Sequence, residues 1–258
     1  EGKIVQYVAP TVWAYKRKRI IELENNFDLL LTLFPFEAEY FKESKLHCIF
    51  CGHPLANINQ QSVTDTLRIQ YPIADKKILA LFPGSRLSEI KSNLGVMLET
   101  GASFEGMLAI SLAAEEYRPI ILNLIKKHQI PLEKIIIVPF EERYLLMKQA
   151  SLAIAKSGTV TLELALFGVP TVVIYSLSLL NFLVAKYIFR LKLPFYCIVN
   201  ILYGKEIFPE CIGYKLSVEK IKNKMTCVHQ IAPELQQLPQ MLTAQEALAS
   251  HTIMEILE

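Results

Sequence analysis

The sequence has little of three features that assign proteins to broad classes: net charge, paired cysteines and long apolar runs. The formal net charge of its 258 residues is +2, and the basic residues form no domain-wide stripe, so composition gives no argument for nucleic-acid binding. Five cysteines are an odd number without a disulfide framework, which indicates a reducing compartment and predicts the cytoplasm. The longest apolar stretch, residues 177–196, is broken by charged residues and a proline, so it suits a membrane surface better than a span of about 20 apolar residues.

Three glycine-containing motifs are absent as well. The sequence contains no GxGxxG, GxxxxGK[ST] or GxSxG, which argues against a Rossmann dehydrogenase and a P-loop NTPase. Cys48 and Cys51 have CxxC spacing, with His47 and His53 beside them, but no second ligand pair follows at finger-like spacing. We therefore predict neither a metal nor another cofactor and interpret this segment as a buried strand, with half a zinc site as the open alternative.

Short apolar runs alternate with longer helical patterns along the chain, of which 52% is hydrophobic and 20% charged. This alternation is typical of right-handed βαβ units and a parallel sheet, so the predicted fold class is α/β. The predicted strands are Ile4–Val8, Leu29–Leu33, Leu46–Cys51, Lys77–Phe82, Met107–Ala113, Ile135–Val138, Leu152–Ala155, Thr171–Tyr175 and Phe195–Val199. The predicted helices are Trp13–Asn25, Phe36–Ser44, Leu87–Glu99, Arg118–Gln129, Glu141–Gln149, Thr161–Phe167 and Leu179–Leu193, with further helical stretches from Val218 and Thr243. The first three strands are too few for a complete doubly wound domain, so they predict the tail of a domain that begins before Glu1.

Two predicted strands end in small-residue turns that lead into helices. The first turn contains Gly84, Ser85 and Arg86, and the second is Ser157-Gly158-Thr159. Such turns present free backbone N–H groups to an anion at the carboxyl ends of parallel strands. Glycine lets the backbone approach closely, serine caps a helix or donates to phosphate, and the planar guanidinium of arginine suits an oxyanion.

Glu163 lies four residues after Thr159 on the same helical face, where a carboxylate can accept both hydroxyl protons of a ribose. Capped helices without any ligand would explain the same residues. Taken together, the two turns predict one pyrophosphate site, and without the motifs of dehydrogenases and NTPases they indicate sugar-nucleotide chemistry.

Several motifs occur in an order that resembles the lipid-A-disaccharide synthase family, in a chlamydia-type version, over nearly the whole chain. They are Tyr7–Tyr15, Leu33–Glu37, Gly52–Leu55, Phe82–Arg86, Ser157–Glu163, Phe182–Phe189, Asn200–Gly204 and Ile207–Glu210. The resemblance implies a GT-B architecture of two Rossmann-like domains facing across a cleft. It also implies an inverting transfer of a diacylated glucosamine from UDP to the 6-hydroxyl of a diacylglucosamine 1-phosphate, with release of UDP and without a metal.

The resemblance implies the roles of individual residues and parts of the chain. Arg86 and Asn200 are the predicted catalytic residues, and the general base is expected in a preceding part that this chain lacks, so the chain alone is expected to be inactive. The predicted substrate-binding residues are Gly84, Ser85, Arg86, Ser157, Gly158, Thr159, Glu163 and Asn200. The predicted domains are residues 1–56, the end of an acceptor-side domain, 57–72, a linker, 73–200, the nucleotide-sugar domain, and 201–258, a helical region that packs back across both. A turn residue preceding Gly204 is the open alternative for Asn200.

Because the family's substrates are amphipathic, several basic residues are predicted to contact the membrane at the cytoplasmic face of an inner membrane. These residues are Lys16, Arg17, Lys18, Arg19, Lys186 and Arg190. Solvated helix faces and core packing are the alternatives for the same segments. A non-catalytic UDP-sugar-binding or membrane-docking module and a GT-B-fold sugar-nucleotide epimerase remain open as functions, as does a homo-oligomer.

Overall fold

The computed structural model describes residues 2–10, 17–58, 71, 73, 75–176, 194–228, 233–244, 250 and 254. The chain divides into two compact units. The first unit comprises Glu1–Ile58 and Gln236–Glu258, and the second comprises Asn59–Leu235. The boundaries predicted from the sequence at residues 56, 72 and 200, and the roles assigned to those parts, stay predictions.

The first unit contains a parallel sheet with the strand order β1-β2-β3. Its strands are β1 (Val5–Tyr7), β2 (Leu29–Thr32) and β3 (His47–Phe50), and its helices are α1 (Arg17–Asn26), α2 (Pro35–Glu39) and, after the second unit, α9 (Leu238–Leu242). Every residue of β2 is buried, as expected for a central parallel strand, which reads as a continuous apolar run because both of its faces are covered.

The second unit contains a six-stranded parallel sheet with the order β6-β5-β4-β7-β8-β9. Its strands are β4 (Ile78–Phe82), β5 (Met107–Leu112), β6 (Ile135–Pro139), β7 (Leu152–Lys156), β8 (Thr171–Ser176) and β9 (Glu210–Gly213). Its helices are α3 (Leu87–Gly101), α4 (Arg118–Lys127), α5 (Arg143–Gln149), α6 (Thr159–Leu166), α7 (Ile198–Tyr203) and α8 (Val218–Cys227).

Side chains of β4 show how this sheet separates two cores. Leu79 and Leu81 pack into one hydrophobic cluster, and Ile78, Ala80 and Phe82 pack into another. Successive residues of a strand point to opposite faces, so helices cover both faces of the sheet and all five residues are buried.

The strand order reverses direction between β4 and β7, which are direct neighbours in the sheet. From β4 the chain moves outward through β5 and β6, and it then returns to the centre at β7 before moving outward through β8 and β9. Open α/β sheets bind ligands outside the carboxyl ends of the strands at such a switch point. The two turns singled out in the sequence follow these two strands.

Most predicted elements are confirmed within one or two residues at each end. The predicted strand Phe195–Val199 is wrong, because the chain begins α7 there, and β9 was not predicted at all. Helix α2 ends at Glu39 and is shorter than predicted. The predicted helix Leu179–Leu193 lies outside the described residues.

Candidate functional site

A cavity of about 380 Å³ lies at the carboxyl ends of β4 and β7. Six of the eight predicted substrate-binding residues line it: Gly84, Ser85, Arg86, Gly158, Thr159 and Glu163. The cavity therefore occupies the switch point of the sheet, where the N-termini of α3 and α6 add the positive ends of two helix dipoles.

The turn after β4 is built around a glycine with a positive φ. Gly84 has a φ of +121°, and a Cβ there would collide with the carboxylate of Glu89. That carboxylate folds back onto the turn, where Glu89 Oε2 accepts hydrogen bonds from the N–H groups of Ser85 at 3.0 Å and Arg86 at 3.4 Å. The same two N–H groups are the ones that a phosphate oxygen would need at this turn.

Arg86 is the residue just before helix α3, its N-cap, and it directs its side chain towards solvent. The side chain is 81% exposed, and Nη1 lies 3.8 Å from Glu89 Oε1. An exposed guanidinium at that distance is only loosely held, so it is available to a ligand in the cavity.

Lys156, the last residue of β7, reaches the same carboxylate from the neighbouring strand. Its Nζ lies 3.1 Å from Glu89 Oε1, and the side chains are only 23% and 17% exposed. Burial alone raises the pKa of Glu89, but the hydrogen bond and charge of Lys156 and the N–H groups of the turn outweigh it and hold that pKa below its ordinary value. Glu89 is therefore a carboxylate at neutral pH, paired with Lys156 across the two turns.

The turn after β7 leads directly into α6. The Thr161 hydroxyl donates to the Gly158 carbonyl at 2.7 Å, while Gly158, Thr159 and Val160 line the cavity. Ser157 is buried and its hydroxyl donates to the Tyr196 carbonyl at 2.9 Å. Ser157 therefore fixes the turn from behind and is not among the residues that line the cavity, and its predicted contact with the substrate stays a prediction.

Glu163 lies one turn along α6 and is held by two residues of α5. Its Oε1 accepts the Tyr144 hydroxyl at 2.9 Å and lies 3.4 Å from Nε and Nη2 of Arg143. Burial raises the pKa of Tyr144, and the Glu163 carboxylate adds to the effect, so the phenol stays protonated and donates. Within the described residues these hydrogen bonds all reach Oε1, and the predicted contact of this carboxylate with ribose hydroxyls stays a prediction.

Arg143 is fixed between two aromatic rings. Its guanidinium carbon lies 4.0 Å from the centre of the Phe140 ring and 4.1 Å from that of Tyr144. Such contacts immobilise a guanidinium, and its N–H groups then point outward in the plane of the guanidinium, away from the ring faces. Phe140, Arg143 and Lys156 were not predicted from the sequence, although each stands at or just after the carboxyl end of a strand, and that position was the available signal.

Asn200 is not among the residues that line the cavity. It is completely buried, and its Nδ2 donates to the Phe208 carbonyl at 2.7 Å and to Glu210 Oε1 at 2.8 Å. Its Oδ1 accepts the N–H groups of Ile207 and Phe208, each at 2.8 Å. Every hydrogen-bonding position of the amide is used within its own loop, so the geometry supports a structural role and gives no support to the predicted catalytic and substrate-binding roles.

Glu210 completes this loop by capping α7. Its carboxylate accepts the N–H groups of Tyr196 and Cys197, with Oε1 2.8 Å from the latter. A carboxylate at a helix N-terminus satisfies N–H groups that have no partner within the helix. Asn200 and Glu210 therefore both act in holding the folded segment between α7 and β9 together.

Three of the six predicted membrane-contact residues fall on parts that are not described. Lys16, Lys186 and Arg190 lie outside the described residues, while Arg17, Lys18 and Arg19 form the first turn of α1. Among the described helices, none is both long and apolar enough to cross a bilayer.

The CxxC segment forms strand β3 and the residue that follows it, but both cysteines are only half-buried, so the predicted buried strand is correct as a strand and wrong as to burial. Cys48 lies in β3, and burial, together with the charge of Glu37, raises its pKa to about 12. The Cys51 thiol donates to the Thr32 carbonyl at 3.3 Å. Both thiols are therefore protonated at neutral pH, and a thiol binds metal poorly compared with a thiolate.

Comparison with known proteins gives a family and a fold. A family model described as lipid-A-disaccharide synthetase matches residues 1–256. A lipid-A-disaccharide synthase of Chlamydia trachomatis serovar D is 39% identical over 227 residues, which cover 83% of this chain and 36% of that protein. The chain thus spans about a third of the length of that curated relative.

Two solved structures share the fold at low sequence identity. The glycosyltransferase WaaG, involved in lipopolysaccharide biosynthesis, has a TM-score of 0.50 at 14% identity over 88% of this chain and 62% of its own. Anabaena HepE, solved with UDP and glucose, has a TM-score of 0.56 at 12% identity over 99% of this chain and 71% of its own. The predicted GT-B-like α/β fold class is confirmed.

Proposed function

Because the chain belongs to the lipid-A-disaccharide synthetase family, we propose that it binds the UDP-linked donor of an inverting glycosyl transfer in lipid A biosynthesis. In this reaction a diacylated glucosamine passes from UDP-2,3-diacylglucosamine to the 6-hydroxyl of 2,3-diacylglucosamine 1-phosphate. The observation that carries the proposal is that the turns after β4 and β7 open onto one cavity at the switch point of the sheet.

The cavity offers a complementary group to each part of a UDP moiety. The turn of Gly84 and Ser85, the N-terminus of α6 and the Arg86 guanidinium suit the negatively charged diphosphate. Oε2 of Glu163, which accepts no hydrogen bond from the described part of the chain, suits the ribose hydroxyls, since Arg143 and Tyr144 hold the other carboxylate oxygen in place. These assignments retain six of the eight predicted binding residues, without Ser157 and Asn200.

The reaction balances as a single displacement. The acceptor 6-oxygen forms a bond to C1 of the donor sugar while the bond from C1 to the UDP oxygen breaks, and the configuration at C1 inverts. The acceptor hydroxyl proton passes to a general base, which we assign to no residue of this chain. Negative charge grows on the departing UDP, so cationic and N–H donors at the diphosphate lower the barrier most in the transition state.

We also propose that the protein works at the cytoplasmic surface of the inner membrane. Both substrates carry acyl chains, and three successive basic residues, Arg17 to Arg19, open helix α1. Basic residues on a helix are attracted to anionic lipid headgroups, and the attraction weakens with salt.

Titration calorimetry of the full chain with UDP tests the proposal. We expect binding, and we expect Arg86→Ala to weaken it about tenfold or more, the effect of removing one charge-assisted hydrogen-bonding partner. Arg118→Ala is the matched control, because Arg118 pairs with Glu115 on the surface and does not line the cavity. Absence of UDP binding, or an equal loss in both variants, would contradict the proposed site.

A further inference from the structure

We infer that Lys156 is a diphosphate-binding residue and that Glu89 is its resident counter-ion, which holds the anion position of the first turn until a ligand displaces it. This inference rests on the proposed function and deepens it. Neither Lys156 nor Glu89 is among the site residues predicted from the sequence.

Lys156 stands where it can reach both turns. It ends β7, one residue before the second turn begins, and its Nζ extends to the Glu89 carboxylate beside the first turn. A Cβ built on Gly158 would lie 3.8 Å from the same Nζ, so the ammonium also lies beside the backbone of the second turn. An ammonium between two anion-binding turns is well placed for the bridging region of a diphosphate.

The Glu89 carboxylate uses the donors that a phosphate would use. Two successive N–H groups, those of Ser85 and Arg86, meet Oε2, and the Lys156 ammonium meets Oε1 at 3.1 Å. Successive backbone N–H groups together with a cation form a typical phosphate-binding arrangement. Because one set of donors cannot serve two anions, ligand binding is an exchange in which the carboxylate leaves and the diphosphate enters.

The charges of Glu89 and Lys156 determine whether a substitution strengthens or weakens diphosphate binding. With Glu89 in place, the negative charge of the carboxylate repels an incoming diphosphate and occupies Lys156. Glutamine at this position keeps an oxygen for the two N–H groups but removes the charge, so it should compete less well for the ammonium. Methionine at position 156 keeps the length of the side chain and removes its charge.

Calorimetry of the full chain with UDP and with uridine tests the inference. Lys156→Met is expected to weaken UDP binding at least tenfold and to leave uridine binding unchanged, since uridine carries no phosphate. Glu89→Gln is expected to strengthen UDP binding severalfold. Lys127→Met, on the exposed end of α4, is the matched control and is expected to behave like the unchanged chain.

The double variant separates diphosphate binding from mere neutralisation of Glu89. If Lys156 only balanced the carboxylate, Lys156→Met combined with Glu89→Gln would bind UDP as well as Glu89→Gln alone, and that result would overturn the inference. We expect the double variant to bind at least tenfold more weakly than Glu89→Gln. UDP binding that is unaffected by Lys156→Met overturns this inference alone, whereas no UDP binding to the unchanged chain overturns the proposed function with it.

Discussion

Two strand-to-helix corners, one in each unit, have the same pattern of backbone hydrogen bonds to a glutamate but different surroundings. In the corner between β2 and α2, Glu37 Oε2 accepts the N–H groups of Leu33 at 3.1 Å and Phe34 at 3.0 Å. In the corner between β4 and α3, Glu89 Oε2 accepts two successive N–H groups in the same way. Both carboxylates therefore satisfy backbone donors that a helix start leaves without a partner.

The surroundings of the two carboxylates differ in charge and access. Glu37 is 5% exposed beside the Phe34 ring, which stacks on Phe36 and lies 5.1 Å from the His53 ring. Burial raises the pKa of Glu37, although the two backbone N–H groups oppose it. Glu89 instead has the cations of Lys156 and Arg86 and an open cavity. The buried corner at Glu37 therefore serves as a structural cap. The corner at Glu89 opens onto a cavity, and its cations can pair with a ligand in place of the carboxylate.

The largest expected effect follows from breaking the open corner at Gly84. Gly84→Ala places a Cβ against the Glu89 carboxylate at a φ of +121°, which costs about 1–3 kcal/mol of folding stability and moves the two N–H donors. We expect UDP binding to fall below detection by calorimetry in protein that is still folded. Gly213→Ala, with its nearest neighbour 3.7 Å from the new Cβ, is the control, and normal UDP affinity of Gly84→Ala would count against the corner as a binding element.

The two carboxylates should change stability with pH in opposite directions. The pKa of Glu89 is lowered from 4.5, so its contribution to stability is complete above that pH and is lost as the pH falls through its folded-state pKa. The pKa of Glu37 is raised from 4.5, so the folded state binds the extra proton and its contribution is lost as the pH rises from 4.5 through the folded-state pKa.

Urea unfolding of Glu37→Gln and Glu89→Gln between pH 3 and pH 8, compared with the unchanged chain, measures this difference. Relative to the unchanged chain, Glu37→Gln should gain stability as the pH rises, whereas Glu89→Gln should lose it. The same sign for both variants would remove the distinction between the corners.

The smallest expected effect comes from the corner between β7 and α6, which lines the same cavity as the corner between β4 and α3. Tyr144→Phe removes the hydroxyl that donates to Glu163 Oε1 at 2.9 Å, so the carboxylate is held less firmly. We expect UDP binding to weaken about threefold, as for loss of one neutral hydrogen-bond donor, and inorganic pyrophosphate binding to stay the same. Equal weakening for both ligands would show that Tyr144 does not act through a ribose contact.

Local sequence signals were sufficient for the parallel sheets and for the turns after β4 and β7. Buried parallel strands read as short apolar runs, and glycine, serine and threonine mark the turns that follow them. The prediction failed at residues 195–199, where aromatic and β-branched residues suggest a strand. Glu210, more than ten residues away along the chain, caps the start of α7 there, and this tertiary contact outweighs the local preference.

The site was only partly predictable because its charges are paired over long distances in the sequence. The contact of Lys156 with Glu89 joins β7 to α3, and that of Arg143 with Glu163 joins α5 to α6. Burial is equally invisible in a local pattern: the role of Asn200 was implied by the family resemblance, and only the structure shows that its amide is fully hydrogen-bonded. Position at a strand end was informative, whereas the direction of each side chain had to come from the structure.

The register of β4 against β7 has a consequence for the length of ligand that the site accepts. Leu79 to Phe82 pair residue by residue with Leu152 to Ala155, so the distance between the two turns is tied to the spacing of neighbouring strands, about 4.8 Å. Altering it would require breaking hydrogen bonds in the centre of the sheet. On the proposed function, this fixed spacing therefore favours ligands of one length. Two linked phosphates can touch both turns at once, while a nucleoside monophosphate can engage only one.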